Sequence, residues 1–139
     1  MRTFHLFQIK EETYEQLLNK EQELFILLSR LKKMEKDQLN FGISLFQQLC
    51  DPWPVEIMNH YLMNKFRAKR ENNHYIFNQT NQLIVKPSYF ILKTEYDVPS
   101  IFYYLRYSGA HIFVCDFERS DYFYLNELLK QRKNLISNK

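Results

Sequence analysis

Hydrophobic and polar positions sort the start of the chain into a strand and a helix. Across Thr3–Ile9, Phe4, Leu6 and Gln8 share one side, and His5, Phe7 and Ile9 share the other. Both sides are rather apolar, which predicts a central strand covered on both faces. An acidic helix follows with no glycine or proline between. Glu11 and Glu12 stand near its N-terminus, where the macrodipole favours acids, and Tyr14, Leu17 and Leu18 form an i, i+3, i+4 stripe. The period breaks around Asn19-Lys20 and resumes through Leu24, Phe25, Leu27, Leu28 and Leu31 to about Met34.

A third helical stretch, Glu35–Leu49, places Leu39, Ile43 and Phe46 on one face, with Leu45 and Gln48 off it. Gly42 in its middle costs about 1 kcal/mol against alanine, which predicts close packing there. Asp51-Pro52-Trp53-Pro54 is the clearest punctuation. A residue before proline avoids the α region, so Trp53 is expected to be extended and Pro54 to open a helix over about Pro54–Phe66. That helix is expected to bury Ile57, Met58, Tyr61 and Leu62. His74–Phe77, Gln82–Val85 and Ser88–Lys93 then read as an antiparallel meander. Pro99–Tyr107 reads as a short helix with Ile101, Phe102 and Leu105 inward, closed by Gly109 in a left-handed conformation. His111–Phe117 and Tyr122–Leu125 read as strands, and residues 126–139 as a basic helix or tail.

The pattern predicts one compact domain over residues 1–139, of α/β or α+β class, with a mixed central β-sheet flanked by helices. A chain of 139 residues is long enough to bury roughly two-thirds of its unfolded surface. Aromatic residues make up 17% of it, more than one small core needs, so some rings are expected at the surface, where they favour protein interfaces. A net charge of +3 is too weak to imply nucleic acid or a membrane. The opening residues contain no apolar signal core, and no apolar run approaches the roughly eighteen residues that span a bilayer, so a cytoplasmic location is expected. Cys50 and Cys115 form no CxxC motif and read as small buried thiols.

Catalytic chemistry finds little support in the residues. His5, His60, His74 and His111 have no metal-ligand spacing, so neither a metal nor another cofactor is expected. Asp116, Glu118 and Asp121 follow a strand, where catalytic carboxylates often stand, but the surrounding Glu118-Arg119-Ser120-Asp121 has the polar character of a turn. With only two glycines in the chain, no glycine-rich phosphate loop is present. Lys65, Arg67, Lys69 and Arg70 form a basic cluster around Phe66. A small nucleic-acid-binding protein using residues 65–70 is therefore the alternative to a protein-binding role. Glu71 ends the cluster at once, which favours a solvated connector.

Several patches carry a family resemblance in their order and spacing. They are the aromatic strand followed by Ile9-Lys10-Glu11-Glu12 and a helix; Glu35-Lys36 with Gln38, followed by Pro52-Trp53-Pro54; Ile101-Phe102 on a late helix; and Asp116-Phe117 at the end of a strand. Together they span nearly the whole chain and resemble the SirA-type sporulation inhibitors of replication, a bacterial family. The resemblance implies a non-enzymatic protein that binds the N-terminal domain of the replication initiator DnaA and hinders assembly at the origin. From the residues themselves, neither a membrane partner nor direct nucleic-acid binding is expected. The family's contact positions fall here on Thr13, Leu17 and Leu45. The family pattern carries aromatic rings at the first two and a polar amide at the third, so this chain keeps an apolar ridge with Tyr14 as a neighbouring ring. A bend near Asn19 keeps the whole stripe from facing the core. Leu17, with Thr13 one turn before it, is therefore expected to be partly exposed at the centre of a ridge edged by Tyr14 and Leu45.

Overall fold

The first strand, β1 (Arg2–Ile9), has sheet neighbours along both of its edges. In the computed structural model of the protein, residues 1–34, 39–65, 69–71, 74–78, 81–86, 88–106 and 111–130 are described. β1 pairs with β6 (Phe90–Thr94) on one edge and β7 (Ile112–Asp116) on the other, with Leu6 opposite Phe90 and Val114. Outward from β6 run β5 (Asn81–Val85), β4 (His74–Asn78) and the short edge strand β3 (Lys69–Glu71). Outward from β7 lies β8 (Asp121–Tyr124), and β2 (Cys50–Asp51) pairs with the C-terminal end of β1. Every pairing described is antiparallel, so the sheet is not of mixed direction and the class is α+β. Consecutive strands joined by short hairpins impose that direction on the meander and on the β7–β8 pair.

Because side chains alternate along β1, it serves two cores. Phe4 and Leu6 enter one with Leu83, Leu92 and Val114 of the neighbouring strands. That core is covered by α4 (Val55–Lys65), α5 (Ile101–Leu105) and the helical residues 125–130. Phe7 and Ile9 enter the other with Phe113 and Cys115, under α1 (Glu11–Gln16), α2 (Glu21–Lys32) and α3 (Leu39–Leu49). Helices therefore flank the sheet on both sides, as the doubly apolar first strand requires. No helix among the described residues is long and apolar enough to cross a membrane.

Local chemistry sets the joints. Asn19 takes a left-handed conformation (φ 63°), tolerable for asparagine, and separates α1 from α2 where the hydrophobic period breaks. Trp53 is buried and stacks on Phe90 at 4.2 Å, while Pro54 accepts the Met58 N–H as α4 begins. A Cβ at Gly42 would stand 2.8 Å from Met34 Sδ, the close approach that a glycine inside α3 permits. Buried Tyr75 on β4 donates its hydroxyl to Asn59 Oδ1 at 2.5 Å and ties the meander to α4. Ile101, Phe102 and Leu105 all point inward from α5.

Other expectations need correction or fall away. Ile57 is not buried but 69% exposed, because the inward stripe of α4 runs Val55, Met58, Leu62 and leaves Ile57 about 100° off it. Lys69–Glu71, expected as a connector, is an edge strand on β4. Gly109, residues 35–38 and the tail beyond 130 lie outside the described residues.

Arg2 closes the open end of the first core. It sits on the same side of β1 as Phe4, with its guanidinium 4.5 Å above that ring. Its Nε donates to Asp116 at 3.0 Å, Nη1 to Asp97 at 2.9 Å and Nη2 to Asp121 at 2.7 Å. Burial works against the charge, but the hydrogen bonds to Asp121, Asp116 and Asp97 outweigh it and raise the guanidinium above the ordinary arginine value. Arg2→Ala strands Asp116, whose side chain is 1% exposed, and is expected to cost about 3–5 kcal/mol in chemical denaturation. Asp97→Ala removes a partner whose side chain is 80% exposed and should cost under about 1 kcal/mol. Equal costs for the two variants would show that burial does not govern the cluster.

Candidate functional site

The surface around α1 is built on the short path out of β1. Lys10, in an extended conformation, caps the helix without a side-chain hydrogen bond and donates its own N–H to the Leu49 carbonyl at 3.1 Å. Thr13 is buried, and its hydroxyl donates to the Gln48 carbonyl at 3.3 Å. These two bonds fasten α1 to the C-terminal end of α3. On its other flank, half-buried Tyr14 stacks on the His111 ring at 3.7 Å with planes 11° apart, and meets Tyr124 edge-on at 5.1 Å. Glu11 reaches the same histidine through Nε2. The start of α1 is therefore held on two sides, by α3 and by the strand end at His111.

Beyond these anchors the helix stops. Leu17 is the C-cap residue, half-buried against the second core, and Leu18 beside it is 50% exposed. Thr13 is thus not the exposed companion of Leu17 that the sequence suggested. A small β-branched residue on the inward side of a one-and-a-half-turn helix packs down, and its hydroxyl satisfies a carbonyl at the end of α3. Leu17 keeps the partial exposure expected of it, and Tyr14 flanks it as a largely packed ring. Leu45 is half-buried on α3, and Thr13 meets that helix three residues farther along. Leu18 belongs to the stripe visible in the sequence. Its exposure follows from its place immediately before the left-handed Asn19, where the chain turns away before α2 begins.

The other candidates resolve into structure. Asp116 accepts Arg2 Nε and the Arg119 N–H, and Asp121 accepts Arg2 Nη2, so both carboxylates are engaged in holding the β7–β8 hairpin to β1. Ser120 takes φ 52° in the turn between them, and Glu118 is exposed. No group of three or more His, Cys, Asp or Glu among the described residues could hold a metal ion. Cys50 and Cys115 are buried free thiols. In the basic cluster, residues 66–68 and the side chains of Lys65, Lys69 and Arg70 lie outside the described residues.

No protein-family model matches the chain, and no curated protein matches it.

His5 is the one histidine of the sequence placed inside a core. It lies between Tyr89 at 5.4 Å and Phe117 at 5.1 Å, and its Nδ1 is buried with no hydrogen-bond partner among the described residues. Burial, reinforced by Lys32 of α2 and Lys86 after β5, lowers its pKa from 6.5 to about 4, against the opposing pull of Asp116. The folded state therefore keeps His5 neutral while the unfolded chain takes up a proton. The stability this provides is complete above pH 6.5 and is lost as pH falls towards about 4. Denaturation at a series of pH values should show up to about 1.4 kcal/mol lost per pH unit in that window, beyond the loss seen in His5→Phe. Parallel profiles for the two proteins would mean that His5 titrates normally.

Proposed function

We propose that this protein is a non-enzymatic inhibitor of chromosome replication initiation that binds the N-terminal domain of DnaA. The observation that carries the reading is the pair Leu17 and Leu18, apolar and exposed to different degrees at the end of a helix whose start is fixed. A pre-positioned apolar edge loses little freedom on binding, which is the property an interface centre needs. The ordered resemblance to the SirA-type inhibitors supports the choice of partner. The packing of Thr13 moves the proposed contact from Thr13–Leu17 towards Leu17–Leu18, edged by Tyr14 and by Leu45.

Such a ridge would act by occupation. A partner domain that mediates initiator self-association loses that capacity while its surface is covered, so no chemical step is required. The purified protein should bind the isolated DnaA N-terminal domain, and its overproduction should lower the ratio of origin to terminus DNA in the cell. Binding weaker than tens of micromolar, about −6 kcal/mol, would remove the proposal.

Leu18→Arg gives the sharper test, because that side chain contributes little to either core. Affinity for the DnaA domain should drop by about 2 kcal/mol, roughly thirtyfold. Folding stability should stay within about 0.5 kcal/mol of the parent. Unchanged affinity with unchanged stability would place the interface elsewhere on the molecule.

A further inference from the structure

The sheet ends at β8, and a groove of about 250 Å³ lies there, lined by Glu21, Tyr122, Phe123, Tyr124, Glu127 and Leu128. β7 pairs with one edge of β8, and no strand among the described residues pairs with the other. An edge of that kind offers backbone N–H and C=O groups to an added strand. The walls are fixed from behind. Tyr122 stacks on Phe25 at 4.9 Å, Phe123 meets Phe4 edge-on at 6.2 Å, and Tyr124 packs against Phe113 at 4.9 Å. The volume falls below the roughly 300–1,000 Å³ of small-molecule sites, a size for one side chain rather than a whole ligand.

Two carboxylates and one hydroxyl meet at this groove. Tyr124 is 6% exposed, and its hydroxyl is buried with no hydrogen-bond partner among the described residues. Glu21 arrives from the start of α2 and Glu127 from the helical residues that follow β8. Both charges reach the same atom. Burial first, then Glu21, with Tyr14 and Glu127 adding to it, pushes the Tyr124 hydroxyl well above the ordinary tyrosine value. The hydroxyl therefore stays protonated, and its oxygen keeps lone pairs for a donor. Among the described residues neither carboxylate forms an ion pair, although Lys20 precedes Glu21 and Lys130 lies one turn beyond Glu127.

A planar cation with several N–H groups answers each of these features. Its charge meets the acids, one N–H meets the tyrosine oxygen, and its flat face meets aromatic rings. An ammonium group offers the charge without the fork or the face. We propose that this groove receives the guanidinium of an arginine carried on an extended segment of a partner protein that lies along the free edge of β8. Glu21 and Glu127 supply the countercharge, and Tyr122 and Phe123 flank the stem of the arginine. The proposal goes beyond the partner assigned to α1 and does not rest on it.

The probe is a blocked pentapeptide in the order threonine, valine, arginine, valine, threonine, added to the full chain and followed by amide chemical shifts. It should bind saturably at about millimolar concentration or below, with the largest shifts on β8 and at Glu127. Its analogue with norleucine at the centre should bind at least about fivefold more weakly. Glu21→Gln with Glu127→Gln should remove that difference. Tyr124→Phe should reduce it and still fold, since it deletes a hydroxyl that has no partner. Glu127 is exposed, so Glu127→Gln alone carries the charge test should the double variant not fold; there the difference should shrink about twofold or more. No saturable binding, equal affinity for the two peptides, a difference unchanged in the glutamine variants, or shifts confined to surfaces away from β8 would each overturn the proposal. Binding seen only in Arg132→Gln with Lys133→Gln would assign the groove to the chain's own basic tail and overturn it as well.

Discussion

A strand that is apolar on both faces has to be covered on both faces, and the arrangement of this protein follows from that requirement. Phe4 and Leu6 demand one helical layer and Phe7 and Ile9 another. The backbone of β1 also demands partners along both edges, since buried N–H and C=O groups left unpaired are costly. Those partners come from far along the chain: β6 on one side and β7 on the other. The eight residues of β1 thus depend on segments roughly ninety positions or more away, a topology that delays the reward for loop closure. Arg2 reinforces the same closure by drawing together carboxylates from the loop after β6, the end of β7 and the start of β8.

The candidate interface depends on this strand through the single residue that separates it from α1. Lys10 follows Ile9 directly, so the position of α1 is fixed by where β1 ends, by the Leu49 and Gln48 carbonyls of α3 and by the Tyr14–His111 stack. The helix is too short to be stable by itself. Its order is borrowed from the sheet, which is why an apolar edge can stand in solvent there without collapsing onto the core. The same layer leaves a cavity between α2 and α3, so the candidate interface and the cavity share the second face of the sheet.

Local signals made much of this legible in the sequence, and the rest was hidden for physical reasons. The alternation in Thr3–Ile9 revealed a central strand. The interrupted period at Asn19 revealed the α1–α2 joint, and proline chemistry around Trp53 revealed the start of α4. Ile101, Phe102 and Leu105 were readable as an inward face. What periodicity could not supply were relations across the chain. Arg2 gave no hint of its carboxylate partners, which lie 95 to 119 positions away. Lys69–Glu71 is charged and short, as edge strands often are, and carries none of the β-branched or aromatic composition that marks a strand. Thr13, expected at the surface, turned inward, and Leu18 is the exposed member of the stripe, because a helix of six residues is oriented by its anchors rather than by its own stripe. Ile57 showed the same ambiguity on α4, where two overlapping stripes were possible and the packing of Val55 selected one.

Amide hydrogen exchange tests the dependence on β1 most directly. If both layers close on this strand, the amides of Leu6 and Phe7 have no local route to solvent. They should exchange only through global unfolding, with an opening free energy equal to the stability measured by denaturant and higher than that of the edge strand β3. Exchange of those amides through local openings, as fast as that of β3, would contradict the account and place the organising element of the fold elsewhere.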